Sequence, residues 1–495
     1  MSEIKQLFNQ TLIYGFSSVV ARVLNFFLVP LYTVLFMPSE YAIVAEMYAY
    51  AALFMVIGSF GMETTFFRFA TNDKNSSSIN STVFTSSFLF LVFNASLLIF
   101  FGTLFSEQIA KMIHHPGHSK YILYFVFIIS LDLFSVIPFA LLRQKNQAFK
   151  FASIKTINII INIFFNLFFL LLCPYLIQHQ IGTNFINIIY SPNISVGYVF
   201  ISNLIASGAT LIILLPEIKK NITKPNFEIF IKMLNYAWPI LIAGLAFIIN
   251  ETADKILIKY LLPKNIAMRE LGIYSACYKL SIFMTLFVQA YRFAAEPFFF
   301  NQFKNPNAKQ IYALMMEVFV LVSISIFLFV VFYIDIIKLI IPNQLYHEGV
   351  VIIPIVLMAN IFLGVYYNLS VWYKVINKTK YAAIISGAGA IITIFLNIVL
   401  IQRHGYIGAA WTTLICYASM ACMSFYLGQK HFKISYNLKP ILSYFFIAIV
   451  LFFSSQISEL KLYNNIQIDN TILFLLYSIF MFWQIKKILR FKTIQ

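Results

Sequence analysis

Fourteen stretches of about 17–28 mostly apolar residues follow one another along the 495-residue chain. They lie near 11–36, 42–70, 83–105, 121–142, 151–173, 196–216, 233–261, 271–298, 312–333, 351–374, 381–402, 406–428, 440–456 and 470–487. At 1.5 Å per residue, each can cross a hydrocarbon layer of about 30 Å as an α-helix. Lipid offers no partner to a backbone N–H or C=O, so segments of this kind must satisfy those groups internally, which a helix does. Charged residues make up only 11% of the chain, against about 25% in a typical soluble domain. The chain is therefore expected to be an all-α integral membrane protein. Pro30, Gly58, Gly61, Pro138, Pro239 and Gly244 interrupt several stretches, as neighbouring helices and water allow in membranes. The first long stretch contains Arg22 and follows a polar start, so a retained first helix is expected rather than a cleaved leader. The four cysteines, Cys173, Cys277, Cys416 and Cys422, fall in or at the end of apolar stretches and read as packing residues.

The loops set an orientation. With the N-terminus inside, cytoplasmic segments hold 21 of the 35 Lys and Arg and the opposite side holds seven. That asymmetry places both termini in the cytoplasm of a multi-pass protein. The net charge of +17 is then explained by basic loops facing anionic lipid, with no nucleic acid required.

The two halves match weakly at an offset of 230 residues. Glu40-Tyr41-Ala42-Ile43 corresponds to Glu270-Leu271-Gly272-Ile273, Tyr48 to Tyr278, and Lys150–Ile154 to Lys380–Ile384. Gly197 and Gly408 correspond after a change of loop length. Six helices separate the paired elements, which implies a parallel repeat about an axis along the membrane normal. The expected organisation is a lobe over 1–224, a second six-helix lobe over 225–432, and two appended helices with a basic tail over 433–495. In such transporters the site lies between lobes that rock to alternate access.

Charges inside the apolar stretches mark the candidate site. A charge at mid-bilayer costs roughly 2.5–3.5 kcal/mol on insertion scales, so it usually faces a bundle interior or a watery path. Glu251, Asp254 and Lys255 share one helical face through spacings of three and four, leaving a surplus carboxylate. Arg292 and Glu296 are four apart and can pair. Lys279 has no acid within a turn and must face a cavity or pair across helices. Arg22 has Asn25 on its face, and Glu46 and Glu63 are its possible cross-helix partners. An arginine fork can grip a phosphate in two places, which makes an anion a natural ligand. The bland alternative for each group is a neutralised pair that only fixes packing. Arg68 can snorkel to the interface, and Asp132 can carry a proton or accept from a neighbouring helix. Asn158, Asn162 and Asn166 form a stripe that should face another helix. Tyr48, Tyr50, Tyr274, Tyr278, Tyr291 and Trp372 are candidates to line a sugar path. His114, His115 and His118 read as a solvated external loop rather than a metal site. The chain contains no Walker loop or nucleophile elbow, which disfavours an ATP-driven pump or hydrolase.

Thr11–Ser18 followed by Arg22, Val29-Pro30-Leu31-Tyr32-Thr33, Glu40–Val44, Gly61-Met62-Glu63-Thr64 and Phe67-Arg68-Phe69 resemble the start of bacterial polysaccharide flippases. Ala253-Asp254-Lys255, Ala294–Phe298, Asn377–Lys380 and Gly405–Ala410 are similar to that group too. The family belongs to the multidrug/oligosaccharidyl-lipid/polysaccharide exporter superfamily. The resemblance implies a MATE-like two-lobe core, often with two more helices, and transfer of an undecaprenyl-pyrophosphate-linked oligosaccharide to the outer leaflet of the inner membrane for surface polysaccharide such as O-antigen. It also implies a cationic cavity, no cofactor beyond a coupling ion such as H+ or Na+, and membrane lipids and polysaccharide polymerase machinery as partners. On this reading Arg22, Lys255, Lys279 and Arg292 attract the pyrophosphate, while Glu46, Glu63, Glu251, Asp254 and Glu296 balance charge or couple ions. A peptidoglycan-precursor flippase and a cation-coupled multidrug antiporter share the fold; the near balance of buried bases and acids disfavours the antiporter. A polymerase or glycosyltransferase usually needs a large external loop, and the longest here has about 22 residues.

Overall fold

A computed structural model describes residues 19–70, 77–303, 305–376, 378–457, 461–462 and 466–490. The Thr11–Ser18 motif, Lys5, Lys74, Lys304, Asn377 and Lys492 lie outside the described residues. The long helices, numbered in chain order, are α1 (Val19–Leu35), α2 (Pro38–Phe69), α3 (Ile79–Leu104), α4 (Ser119–Gln144), α5 (Ala148–Gln178), α6 (Gly197–Asn221) and α7 (Phe227–Leu261). They continue as α8 (Lys264–Lys279), α9 (Ile282–Phe300), α10 (Ala308–Phe332), α11 (Gln344–Val375), α12 (Lys380–His431), α13 (Leu438–Ser455) and α14 (Asp469–Ile488). A two-residue antiparallel pairing of Lys461–Leu462 with Ile466–Gln467 precedes α14.

Among the described residues, eleven helices are long and apolar enough to cross a membrane, or twelve with α8 and α9 taken as one bent span. That is fewer than the fourteen apolar stretches, for two reasons. The 52-residue α12 joins two helices across a kink at Gly405, one for each of two stretches, and α1 is a shorter apolar helix. At 1.5 Å per residue α12 would be about 78 Å long if straight. It turns at Gly405, whose φ of 58° and ψ of −143° suit a residue without Cβ. A Cβ there would also come 3.0 Å from Glu270 Oε2. Between α8 and α9 the chain bends by 53°. There the Ser281 N–H and hydroxyl both bond the Tyr278 carbonyl, at 3.1 and 2.7 Å, so the helical ladder closes and restarts.

The helices form two compact units. The first comprises residues 1–28 and 43–252, the second residues 29–42 and 253–495. The chain thus passes from one unit to the other within α1, α2 and α7. In the first unit α4 packs on α3 and α6, and α6 on α5. Its core gathers Met62, Phe66, Phe84, Leu91, Ile137 and Met233, all fully buried. In the second unit α11 lies along α12, and α10 packs on α11, α13 and α14. A core of Ala295, Phe299, Tyr312, Val371 and Ile434 fixes the end of α9 against α10 and α11. Close approach governs one entry to this unit. A Cβ on Gly272 would stand 1.8 Å from the Pro38 carbonyl oxygen, so only glycine lets α8 pack on the start of α2.

Candidate functional site

Each unit carries its own polar constellation. In the second, α9 places Arg292 and Glu296 one turn apart, and α11 brings Lys374 to the same carboxylate. Lys374 Nζ donates to Glu296 Oε1 at 2.8 Å, whereas Arg292 Nε stands 3.8 Å from Oε2. The intrahelical pair expected from spacing is therefore present but secondary. The Arg292 guanidinium also lies 4.6 Å from the centre of the Tyr367 ring, a cation–π contact that holds it flat on an aromatic face. Beside it, the Tyr291 hydroxyl donates to Asn368 Oδ1 at 2.6 Å. Two cations share one acid, so the cluster keeps an excess positive charge, and the Arg292 side chain remains 41% exposed.

Higher on the same unit, Asp254 is buried and accepts a hydrogen bond from the Tyr274 hydroxyl of α8. Lys255 turns back on it with Nζ 3.5 Å from Oδ1, and its ammonium lies 4.9 Å from the Tyr278 ring centre. The Lys255 ammonium is thus partly spent on its neighbour. Lys279, the last residue of α8, is exposed at the bend into α9. At the far end of α8, Arg269 pairs with Glu348, and Tyr406 donates its hydroxyl to the Glu348 carbonyl at 3.1 Å.

The first unit treats its charges differently. Glu46 is fully buried and lies 2.8 Å from His115 Nε2. The histidine loop therefore is not wholly solvated as expected, since one of its rings reaches into the helices to meet a carboxylate. Glu63 bonds Arg143 at 2.6 Å, with both side chains nearly half exposed, and the Arg143 guanidinium sits over Phe67 at 5.1 Å. Arg22 is exposed on α1, and Glu251 is half-buried on α7. Asp132 receives the Ser207 hydroxyl and lies in the field of Lys155, whose ammonium sits 4.2 Å from the Phe139 ring centre. Of the asparagine stripe of α5, Asn158 meets α6, donating to Thr210 at 2.8 Å, while Asn166 donates back to Asn162 on its own helix. At the helix ends, Lys150 bonds Glu217 at 2.5 Å, and Lys145, in the turn between α4 and α5, donates to Asn221 at 2.9 Å. Partial burial pushes the Lys145 ammonium below its ordinary pKa, and Glu217 opposes that shift.

Spacing thus located the acids and the partners on their own helices, Arg292 for Glu296 and Lys255 for Asp254, but not the partners from other segments. His115, Lys155 and Lys374 were missed. Lys155 carried a usable signal, a lysine four residues inside the apolar stretch 151–173; Lys374 and His115 carried none, being 78 and 69 residues from the acids they meet. Cys173, Cys277 and Cys416 are buried as expected, while Cys422 is exposed.

A family model described as polysaccharide biosynthesis protein matches residues 7–303. Among solved structures, the chain is similar to Lipid II flippase MurJ in an inward closed conformation, at 15% identity and a TM-score of 0.72 over 98% of this chain and 100% of that one. It is similar to an inward-facing multidrug resistance MATE family transporter of the MOP superfamily at 9% identity, TM-score 0.64, covering 85% of this chain and 94% of the other. A MATE transporter in complex with MaD3S aligns at 12% identity, TM-score 0.59, over 86% and 95% of the two chains. At such identities these likenesses establish the fold. No curated protein matches the sequence significantly.

Proposed function

The chain belongs to the polysaccharide biosynthesis protein family, and from that membership we propose that it carries an undecaprenyl-pyrophosphate-linked oligosaccharide across a bacterial inner membrane for surface polysaccharide. Its class is that of a multi-pass membrane flippase or transporter, not an enzyme. The observation that carries the substrate reading is the Arg292–Glu296–Lys374 cluster. Lys374 neutralises the acid at 2.8 Å, which leaves the half-exposed Arg292 fork available to an incoming anion. A pyrophosphate offers paired oxygens to that fork, and the Tyr367 ring beneath holds the guanidinium in one orientation. Arg22, Lys279 and Lys255 supply further cations, with Lys255 weakened by its contact to Asp254.

Glu46, Glu63, Glu251, Asp254 and Glu296 balance these charges, and those in the spans are the candidates to couple transfer to H+ or Na+. The lipid tail stays in the bilayer while the two units alternate access, and a polysaccharide polymerase on the outer face would use the product. The basic loops support cytoplasmic termini. The same cluster chemistry suits a peptidoglycan precursor, whereas the family description favours a polysaccharide unit. The test is complementation of cells that lack their polysaccharide flippase. Wild-type protein should restore surface polysaccharide and Arg292→Ala should not. Equal restoration by the two would remove Arg292 from the site.

A further inference from the structure

Away from these clusters, a cavity of about 750 Å³ opens in the second unit between α10, α13 and α14. It lies where α10 and α13 begin and α14 ends. Its mouth carries Lys439 and Lys487, with Asn437 and Gln484 beside them. Both lysines are exposed, and the Lys487 ammonium stands 5.6 Å from the Trp483 ring centre. The one acid in the lining, Glu317, is buried and receives the Tyr444 hydroxyl at 3.0 Å, so it is turned inward and hydrogen-bonded. The remaining wall is apolar, formed by residues such as Leu314, Ile447 and Phe480. On either side, α13 and α14 present bare apolar surface, with Leu442 64%, Phe446 67% and Phe482 68% exposed.

We propose that this cavity binds an anionic phospholipid, with the headgroup phosphate between Lys439 and Lys487 and the acyl chains along α13 and α14. The argument is one of charge complementarity and shape. Basic pockets between membrane helices on the side of the positive loops suit phosphate-bearing headgroups. Lys439 lies in the first turn of α13, where unsatisfied N–H groups and the helix dipole add to its field. Trp483 provides the amphipathic ring that settles at a membrane interface. Lys430, Lys433 and Lys486 lie close by in the sequence and add positive charge to that side. The proposal does not depend on the transported substrate, because the cavity shares no residue with the Arg292 cluster.

The test measures thermal unfolding of the purified full-length protein in detergent titrated with phosphatidylglycerol, phosphatidylcholine or inorganic phosphate. Phosphatidylglycerol should raise the unfolding temperature at concentrations where phosphatidylcholine and inorganic phosphate do not. Lys439→Gln/Lys487→Gln should weaken that response about thirtyfold, taking each lysine near an anionic surface at its usual worth. Ile447→Trp keeps both charges and fills the cavity, and should lose the response as well; it guards against a charge effect spread over the whole surface. Equal responses to phosphatidylglycerol in wild type and in both variants would overturn the proposal. A response to inorganic phosphate alone would overturn the lipid as occupant.

Discussion

Lys374 holds Glu296: its ammonium nitrogen stands 2.8 Å from Oε1, while Arg292, one turn away on the same helix as the acid, reaches Oε2 only at 3.8 Å. The carboxylate is thus committed to α11, and Arg292 keeps donor capacity for another anion. Arg292→Ala should weaken binding of a fluorescent pyrophosphate lipid by tenfold or more. Arg292→Lys should fall between, since it keeps charge and loses the fork and the stack on Tyr367. Glu296→Gln should not weaken binding, because it removes the competing acid. A Glu296→Gln loss as large as that of Arg292→Ala would assign the carboxylate to the ligand instead.

Glu46 is buried beneath the loop that carries His115, 2.8 Å from its ring. Losing a partner of a buried polar group costs about 1–3 kcal/mol. His115→Ala should therefore lower the unfolding temperature in detergent by several degrees, and Glu46→Gln should largely rescue it by removing the charge. An unchanged unfolding temperature in His115→Ala would show that the pair contributes nothing to stability.

Two glycines of α12 should respond in opposite directions. Gly405 has a left-handed φ and Glu270 close by, so Gly405→Ala should destabilise by about 1–3 kcal/mol. Gly387 is helical with open space around its would-be Cβ, so Gly387→Ala should be neutral or stabilise by up to about 1 kcal/mol. Thermal unfolding of the two variants side by side makes the comparison.

Tyr274→Phe strips the buried Asp254 of its hydroxyl donor without changing the ring. The expected cost is about 1–3 kcal/mol in stability, read as an earlier unfolding transition. The restored pair Tyr274→Phe/Asp254→Asn should recover part of it, because the buried charge is gone.

How much of this was legible beforehand differs by level. Helix positions follow from apolar length alone, because lipid admits few other backbone solutions. The sequence separates 381–402 from 406–428 at Arg403-His404-Gly405, and the structure breaks the helix there, at Gly405 with its non-helical angles. Intrahelical spacing found Arg292 and Glu296. It could not find Lys374, which sits at the end of a different apolar stretch and reads as a loop cation. Glu46 likewise shows its burial only in three dimensions, since its partner belongs to a loop rich in turn formers, His114 to His118 around Pro116 and Gly117. Pairwise chemistry between distant segments depends on packing, and apolar periodicity carries little information about it.

Transfer itself is most directly measured in proteoliposomes holding the purified protein and an undecaprenyl-pyrophosphate-linked oligosaccharide labelled on its sugar, with leaflet accessibility followed over time. Wild-type protein should move the label between leaflets at least tenfold faster than protein-free vesicles, and Arg292→Ala should bring the rate close to that background. Transfer no faster than in protein-free vesicles, with the protein folded and inserted, would contradict the proposed function.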